Sequence, residues 1–251
     1  MIKLKNVCAG YGKEEILHNI NTEFESGRVT VIIGPNGCGK STLLKTLVRL
    51  NEHSDGEIFI SENSIEQLTA AELAQRVAYL PQNKRTPDIS VLRMVLHGRF
   101  AYLKYPRRYR KEDYEMAGKA LQLVGIGEMA DKNLNELSGG AQQKVYIAMA
   151  LAQDTDTILL DEPTTYLDIA HQIKMMKLAK ELAQSGKAVV MVLHDLGQAF
   201  HVADKIVVMD DGRVKACGEP EEVYASGVVE DVFGVNLNKV EIDGEWKYFF
   251  H

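Results

Sequence analysis

The sequence has no long apolar segment. Its longest uninterrupted apolar runs, residues 146–152 and 189–193, fall far short of the roughly 18 to 20 residues that a helix needs to cross a bilayer. The first six residues alternate polar and apolar like a strand and lack the apolar core and small-residue cleavage site of a secretory signal. We therefore expect a chain that does not span a membrane and that stays in the cytoplasm.

Cysteine is scarce, and positive charge is not in surplus. Cys8, Cys38 and Cys217 are widely separated and form no C-x-x-C pair, so we expect reduced thiols and no zinc or redox site. The chain carries 29 Lys and Arg against 35 Asp and Glu, a net charge of -6. Non-specific binding to nucleic acid or anionic lipid requires an excess of cations, and the composition argues against both.

One local stretch, residues 104–111, is basic and is interleaved with tyrosines. Aromatic side chains between cations would suit single-stranded nucleic acid. Such a cluster is more often a solvated face or a docking surface, and we predict no nucleic-acid partner. The stretch consists of Lys104, Arg107, Arg108, Arg110 and Lys111 alternating with Tyr102, Tyr105 and Tyr109.

The order of apolar runs predicts an α/β protein. The 251 residues, 45% of them apolar, fit one large domain or two small ones. We predict strands at 3–8, 20–24, 29–33, 57–60, 157–160, 188–193 and 206–209, and helices at 41–50 and 169–184. Residues 91–152 show helical spacing instead. Near-continuous Val, Ile and Leu runs belong in a parallel sheet covered on both faces, and turns at Asp210-Asp211-Gly212 and Asp243-Gly244 predict two hairpins.

A complete phosphate-binding loop lies between a predicted strand and a predicted helix. Its glycines let backbone N-H groups converge on phosphate oxygens, Lys40 is expected to reach the outer phosphates, and the Ser41 hydroxyl can bind magnesium. A guanine-specific GTPase would also need N-K-x-D, and neither Asn83-Lys84 nor Asn238-Lys239 continues to that Asp. The loop matches G-x-x-x-x-G-K-[ST] with Gly34, Pro35, Asn36, Gly37, Cys38, Gly39, Lys40 and Ser41.

Two adjacent carboxylates end the predicted strand at 157–160. The sheet would present Asp161 to magnesium, while Glu162 would act as general base on the attacking water. The alternative, a pair of exposed strand-end acids, is less common beside a complete phosphate loop. His194 closes another apolar strand, and on its own a histidine there is more often structural than catalytic.

The segment Leu137-Ser138-Gly139-Gly140, together with the loop and the Asp-Glu strand, resembles the signature of ABC ATPases. The resemblance covers essentially the whole chain. It implies one domain over 1–251, with a P-loop NTPase core, an N-terminal antiparallel β subdomain and an inserted helical subdomain at about 86–152. It also implies catalytic roles for Glu162, His194 and the Q-loop residue Gln82, and magnesium ligands Ser41, Gln82 and Asp161. ATP would be bound by Tyr11, which stacks on adenine, by the phosphate loop with Thr42, and by Ser138, Gly139 and Gly140.

In this family two ATPase domains pack head to tail, so the resemblance implies a homodimer in which each signature closes over the partner's phosphate loop. Ser138 can cap a helix that begins near Ala141. The family usually has Gln where this chain has Ala141, which removes a capping box worth roughly 0.5–1 kcal/mol. Gln142 cannot replace it in the same geometry. We also expect Cys38 to be reactive, because a helix N-terminus lowers a thiol pKa; the alternative is an inert, buried thiol.

The function implied by the resemblance is the ATP-hydrolysing subunit of a membrane importer, working with permease subunits and, indirectly, a substrate-binding protein at the inner face of the cell membrane. A soluble ABC ATPase of repair or translation, an exporter, and an adaptor that binds ATP without hydrolysing it are the alternatives. The segment around Leu167-Asp168 resembles that of importers for ferric siderophores, haem and cobalamin, as do residues 146–153 and the His97-Gly98-Arg99 triplet. A metal chelate is thus the expected cargo, with sugar, amino acid or zinc as alternatives. His171 is not expected to bind metal.

Overall fold

The computed structural model describes residues 1–82, 86–242 and 244–251. The strands are β1 (Ile2–Tyr11), β2 (Glu14–Phe24), β3 (Val29–Ile33), β4 (His53–Ile60), β5 (Asn63–Ser64), β6 (Val77–Leu80), β7 (Thr157–Asp161), β8 (Ala188–Val192), β9 (Lys205–Asp210), β10 (Arg213–Gly218), β11 (Leu237–Ile242) and β12 (Glu245–Phe250). The helices are α1 (Lys40–Leu47), α2 (Ala70–Arg76), α3 (Val91–Leu96), α4 (Lys111–Leu123), α5 (Gly139–Ala152), α6 (Ile169–Gln184), α7 (Leu196–Val202), α8 (Pro220–Ala225) and α9 (Val228–Phe233).

A six-stranded, mainly parallel sheet forms the centre of the molecule. Its strand order is β10-β9-β3-β8-β7-β6, and only the pairing of β10 with β9 is antiparallel. Every residue of β3, β7 and β8 is buried. Successive residues of a strand point to opposite faces of the sheet. Val31 of β3 accordingly packs in the apolar cluster on one face, and Ile32 packs in the cluster on the other face. The predicted sheet, covered on both faces, is confirmed.

An antiparallel sheet of order β2-β1-β4-β5 packs over one of these clusters. It shares that cluster with the apolar face of α1, whose Leu43, Leu44 and Leu47 are fully buried. Strand β4 begins at His53, four residues before the predicted start at residue 57. Gly56 lies inside β4, with a φ of +87° at an irregularity in the pairing with β1, and a Cβ there would lie 2.4 Å from the Asn6 carbonyl oxygen.

Helices α3, α4 and α5 pack on one another along the middle of the chain. The predicted helical spacing in α4 is confirmed, since Ala117 and Leu121 are buried and Val124 packs against the same cluster. Helix α1 ends at Leu47, three residues before the predicted end. Leu50 lies outside it and is 68% exposed. In the described ranges, no helix is long and apolar enough to span a membrane.

The C-terminal part of the chain ends in an antiparallel hairpin of β11 and β12. The Tyr248 ring lies 4.7 Å from that of Phe200 on α7, and the Tyr248 hydroxyl donates to Glu221 on α8 over 3.0 Å. The hairpin predicted around Asp210-Asp211-Gly212 is confirmed by β9 and β10. Asp243 of the other predicted turn lies outside the described residues, as do Asn83 and Lys84.

Candidate nucleotide site

The phosphate loop connects β3 to α1, as the motif requires. Its backbone runs too close to neighbouring elements for side chains at two of the glycines. A Cβ on Gly34 would lie 2.1 Å from the Met209 carbonyl oxygen, and a Cβ on Gly39 would lie 2.7 Å from the Leu17 side chain. Gly39 also has a φ of +101°, a conformation that glycine adopts at little cost. The loop is therefore held in one shape, with the start of α1 directly behind it.

Lys40 lies inside the loop, where it is 6% exposed. Its Nζ donates to the carbonyl oxygens of Gly34 and Pro35, each over 2.8 Å. No carboxylate of the described ranges lies within ion-pairing distance of this ammonium. The Cys38 Sγ, at 3.8 Å, is a further acceptor. A buried cation whose partners are two carbonyl groups and a thiol lacks a counter-ion, and the phosphates of a nucleotide would provide one.

Asp161 ends β7 and is 1% exposed. Its Oδ1 accepts from the Ser41 hydroxyl over 3.1 Å, and its Oδ2 accepts from the Tyr79 hydroxyl over 3.3 Å. Burial raises the pKa of the carboxyl group, although the two hydrogen bonds oppose the shift. A hydroxyl and a carboxylate oxygen are ligands that Mg²⁺ accepts in proteins.

The protein alone offers few magnesium ligands. The described residues contain no group of three or more His, Cys, Asp or Glu side chains placed to hold a metal ion. Magnesium commonly binds through one or two carboxylates together with substrate phosphates and water. The pair of Ser41 and Asp161 fits that mode, in which the ion arrives with the nucleotide.

Glu162 and His194 lie side by side at the same edge of the sheet. Parallel pairing of β7 with β8, in which Asp161 faces Val192, brings the residues after both strands together. The distance from His194 Nε2 to Glu162 Oε1 is 2.5 Å, and the carboxylate side chain is 11% exposed against 48% for the imidazole. Glu162 has a φ of +52°, which is uncommon for a residue with a side chain and typical of strained functional positions.

Two further predicted site residues, Gln82 and Tyr11, are exposed. Gln82 is exposed and lies two residues beyond β6, whose Leu80 pairs with Leu160 of β7. This pairing puts Gln82 at the edge of the sheet that carries Asp161. Tyr11, 46% exposed, ends β1 at the hairpin with β2, and the adjoining part of β2 contacts the phosphate loop through Leu17.

The predicted signature begins α5. The Ser138 hydroxyl accepts from the Ala141 N-H over 3.4 Å, which confirms the predicted helix cap. A Cβ on Gly140 would lie 3.2 Å from the Tyr166 carbonyl oxygen, so the signature packs closely on the segment after β7. Helix α5 packs on α3, α4 and β6, whereas α1 packs on β1, β2 and β7. Signature and phosphate loop are thus held by different parts of the chain.

Gln142 does not form the capping box, as expected, and it has another role. Its Nε2 donates to the carbonyl oxygens of Leu134 over 3.2 Å and Leu137 over 3.1 Å. Its Oε1 accepts from the Thr86 hydroxyl over 3.2 Å. The side chain therefore holds the chain just before Ser138 to the segment that follows the Q-loop.

Two residues of the site region were not identified from the sequence. One is Tyr79, the partner of Asp161. The other is Gln143, 5% exposed, whose Nε2 donates to the Pro163 carbonyl oxygen over 2.8 Å and so joins α5 to the residue after Glu162. A polar group within an apolar segment was the available signal for Tyr79, whereas Gln143 lies between Gln142 and Lys144 and gave no such signal.

The expected reactivity of Cys38 is not supported. The residue is 5% exposed, and burial raises the pKa of its thiol, outweighing the nearby Lys40 ammonium. A higher pKa leaves less thiolate at neutral pH, and the thiolate is the nucleophile. The structure favours the buried, inert thiol. The Nδ1 of His171 lies 2.7 Å from Oδ1 of Asp168, the residue that caps α6.

The strand, loop and helix around Lys40, together with the parallel sheet, define a P-loop nucleoside triphosphatase. The model of the family described as ABC transporter matches residues 17–165. The chain therefore belongs to the ABC transporter family, and it is an ATP-binding ATPase of that family.

Curated relatives match most of the chain. The ferric enterobactin transport ATP-binding protein FepC of Escherichia coli is 43% identical over 92% of this chain and 86% of its own length. The petrobactin import ATP-binding protein FpuD of Bacillus anthracis is 42% identical over the same shares. The hemin import ATP-binding protein HmuV of Rhodococcus jostii is 36% identical over 96% of this chain and 82% of its own length.

Two solved structures agree with the fold. An inward-facing metal-chelate type ABC transporter has a chain with a TM-score of 0.85 and 28% identity, covering 100% of this chain and 96% of that one. A dimeric bacterial ABC transporter cassette has a TM-score of 0.78 and 33% identity, covering 88% of this chain and 99% of that one. The predicted α/β fold, with a mainly parallel sheet and a separate antiparallel sheet, is confirmed.

Proposed function

We propose that the chain hydrolyses ATP to energise a membrane importer for a metal chelate: a ferric siderophore, haem or cobalamin. The observation that carries the proposal is the combination of the phosphate loop, Asp161 and Glu162 at one sheet edge with relatives that match about nine-tenths of the chain and are named for petrobactin import, ferric enterobactin transport and hemin import. The names of these relatives favour this class over a sugar, an amino acid or zinc.

The nucleotide's phosphates would lie in the loop from Gly34 to Ser41, with Thr42 following on α1. The buried Lys40 ammonium, held by two carbonyl groups, would move its hydrogen bonds to the outer phosphate oxygens. Tyr11, exposed at the hairpin beside the loop, would stack on the adenine. Within the described ranges Lys40 has no carboxylate partner, and Tyr11 is exposed beside the phosphate loop. Both groups are therefore available to a nucleotide.

Mg²⁺, when bound with ATP, neutralises phosphate charge and stabilises the charge that develops during transfer. Asp161 and Ser41 would hold it, with Gln82 from the neighbouring strand end. Glu162 would take a proton from the attacking water at its Oε1 or Oε2. His194, whose Nε2 lies 2.5 Å from Glu162 Oε1, would orient that carboxylate and contact the outer phosphate.

A second copy of the chain would complete the site. Ser138, Gly139 and Gly140 present free N-H groups at the start of α5, a 14-residue helix, where a positive end attracts anions. Because α5 and α1 pack on different elements, the proposed arrangement is a head-to-tail homodimer in which each signature covers the partner's nucleotide. The dimeric family structure supports this arrangement.

The proposed complex contains two copies of this chain, permease subunits in the membrane and a substrate-binding protein that delivers the chelate. The chain would then lie at the inner face of the cell membrane. Gln82 and the proposed helical subdomain at about 86–152 would transmit the nucleotide state to the permease. The contacts of Gln142 with Thr86 and Leu137 support this proposal, because they connect the Q-loop side to the signature.

The test is uptake in a strain from which the gene has been deleted. Uptake of radiolabelled ferric catecholate and hydroxamate siderophores, haem, cobalamin and a sugar is compared before and after complementation. We expect the loss of one chelate class with sugar uptake intact, and full restoration by the wild-type chain. Normal uptake of every chelate by the deletion strain contradicts the proposed cargo.

A matched pair of variants connects uptake to the site. Glu162→Gln should accumulate like the wild type and fail to restore uptake. Glu181→Gln makes the same chemical change at an exposed position of α6 and should restore it. Restoration by both variants would show that the Glu162 carboxylate is not required for transport.

A further inference from the structure

Two hydroxyl groups hold the two oxygens of the buried Asp161 carboxylate, one each. Ser41 donates to Oδ1 over 3.1 Å, and Tyr79 donates to Oδ2 over 3.3 Å. Ser41 belongs to the phosphate loop, but Tyr79 belongs to β6, the edge strand of the parallel sheet. The Tyr79 hydroxyl therefore reaches the site from a different element, 82 residues earlier in the chain than Asp161.

Packing of the ring holds the Tyr79 hydroxyl in place beside Asp161. The ring packs against the apolar cluster below the antiparallel sheet, near Val48 at the end of α1. A tyrosine hydroxyl is an uncharged hydrogen-bond donor, so it orients Asp161 without adding a charge to the site.

We propose that Tyr79 is a positioning residue for the magnesium ion, since it fixes the orientation of the Asp161 carboxylate. The inference rests on the proposed Mg²⁺ site of Ser41 and Asp161. Mg²⁺ demands near-ideal octahedral geometry, so a carboxylate free to rotate binds it less well. Ser41 is itself a proposed ligand and would turn from Asp161 to the ion, which leaves Tyr79 as the hydroxyl that holds the carboxylate.

The expected size of the effect follows from residues that hydrogen-bond to a metal ligand without binding the metal themselves. Loss of such a group typically weakens metal affinity by about 10- to 100-fold. The 3.3 Å bond of Tyr79 is longer than the usual O-H to oxygen distance, which places the expected effect at the lower end, about tenfold. Nucleotide binding without metal should not change, because Tyr79 is not among the proposed contacts to ATP.

The test compares Tyr79→Phe with Tyr102→Phe in the full chain. Tyr102 is a matched control, since its part-buried hydroxyl also donates to oxygen acceptors, the carbonyl groups of Gln153 at 2.9 Å and Asp154 at 3.4 Å, in the helical part of the molecule. The measurements are the affinity of a fluorescent, non-hydrolysable ATP analogue in EDTA, its dependence on Mg²⁺, and direct binding of Mn²⁺ by electron paramagnetic resonance. Thermal unfolding confirms that both variants fold.

For Tyr79→Phe we expect Mg²⁺ and Mn²⁺ midpoints about tenfold higher, with the affinity in EDTA unchanged; Tyr102→Phe should match the wild type in both. Midpoints for Tyr79→Phe within twofold of the wild type, or an equal shift in Tyr102→Phe, overturn the inference. Ser41→Ala, measured in parallel, distinguishes a failure of the Tyr79 inference from a failure of the proposed Mg²⁺ site. If Ser41→Ala leaves the midpoints unchanged as well, the magnesium site itself is wrong.

Discussion

The hydrogen bond from Gln143 to Pro163 gives a stability prediction of definite size. Both residues are buried, and Nε2 lies 2.8 Å from the carbonyl oxygen. The substitution Gln143→Leu keeps the approximate volume of the side chain but leaves the Pro163 carbonyl without this donor. A buried acceptor left unpaired costs about 1–3 kcal/mol. For a domain of this size each kcal/mol lowers the melting temperature by about 2–4 °C, so we expect a decrease of about 2–12 °C.

The assay is thermal unfolding without nucleotide, followed by circular dichroism. Gln184→Leu, at the exposed end of α6, is the control and should change stability by less than about 0.5 kcal/mol. Because Pro163 directly follows Glu162, we also expect Gln143→Leu to slow hydrolysis more than it weakens ATP binding. A melting temperature for Gln143→Leu equal to that of the control would refute the argument.

Three further predictions concern groups of the site. Asp161→Asn should raise the melting temperature of the nucleotide-free protein at pH 7 while weakening Mg²⁺ binding. Burial raises the pKa of Asp161 in the native state, so ionisation of this carboxyl group disfavours the fold. The increase in melting temperature should shrink as pH falls through the native pKa and disappear below the unfolded pKa of about 3.9. N-ethylmaleimide should modify the exposed Cys217 well before the buried Cys38, as peptide mass spectrometry would show; equal rates contradict the buried-thiol interpretation. Lys40→Ala should weaken ATP binding in an equilibrium titration, and unchanged affinity would remove Lys40 from the phosphate site.

Strong local patterns predicted much of the fold. The helix predicted at 169–184 matches α6 at both ends, because Asp168 caps its start and Gly186 follows its end. The strand at 29–33 is also correct. Strand β6 was not predicted, since four residues before a proline carry no periodicity, and their pairing with β7 makes them a strand. Strand β4 was predicted to begin at residue 57, whereas cross-strand pairing with β1 extends it back through Gly56 to His53.

The candidate site likewise contains residues that local sequence motifs reveal and residues whose roles depend on distant partners. Residues of the phosphate loop, and those at strand ends such as Asp161 and Glu162, belong to motifs that sequence spacing reveals. Tyr79 and Gln143 act through partners 82 and 20 residues away, and no local pattern connects them. The reactivity expected of Cys38 failed for a related reason: the helix N-terminus is visible in the sequence, but burial, which dominates the thiol pKa, depends on the packed structure.

The most direct test of the central claim is Glu162→Gln in the purified chain, measured for ATP binding, hydrolysis and mass in solution. The variant should bind ATP nearly as well as the wild type and hydrolyse it at least about 10²-fold more slowly. With ATP and Mg²⁺ it should accumulate as a dimer of twice the 28.0 kDa chain mass, seen by light scattering. Glu181→Gln should behave as the wild type in all three measurements. Wild-type turnover in Glu162→Gln would contradict the assignment of the general base and, with it, the account of the site.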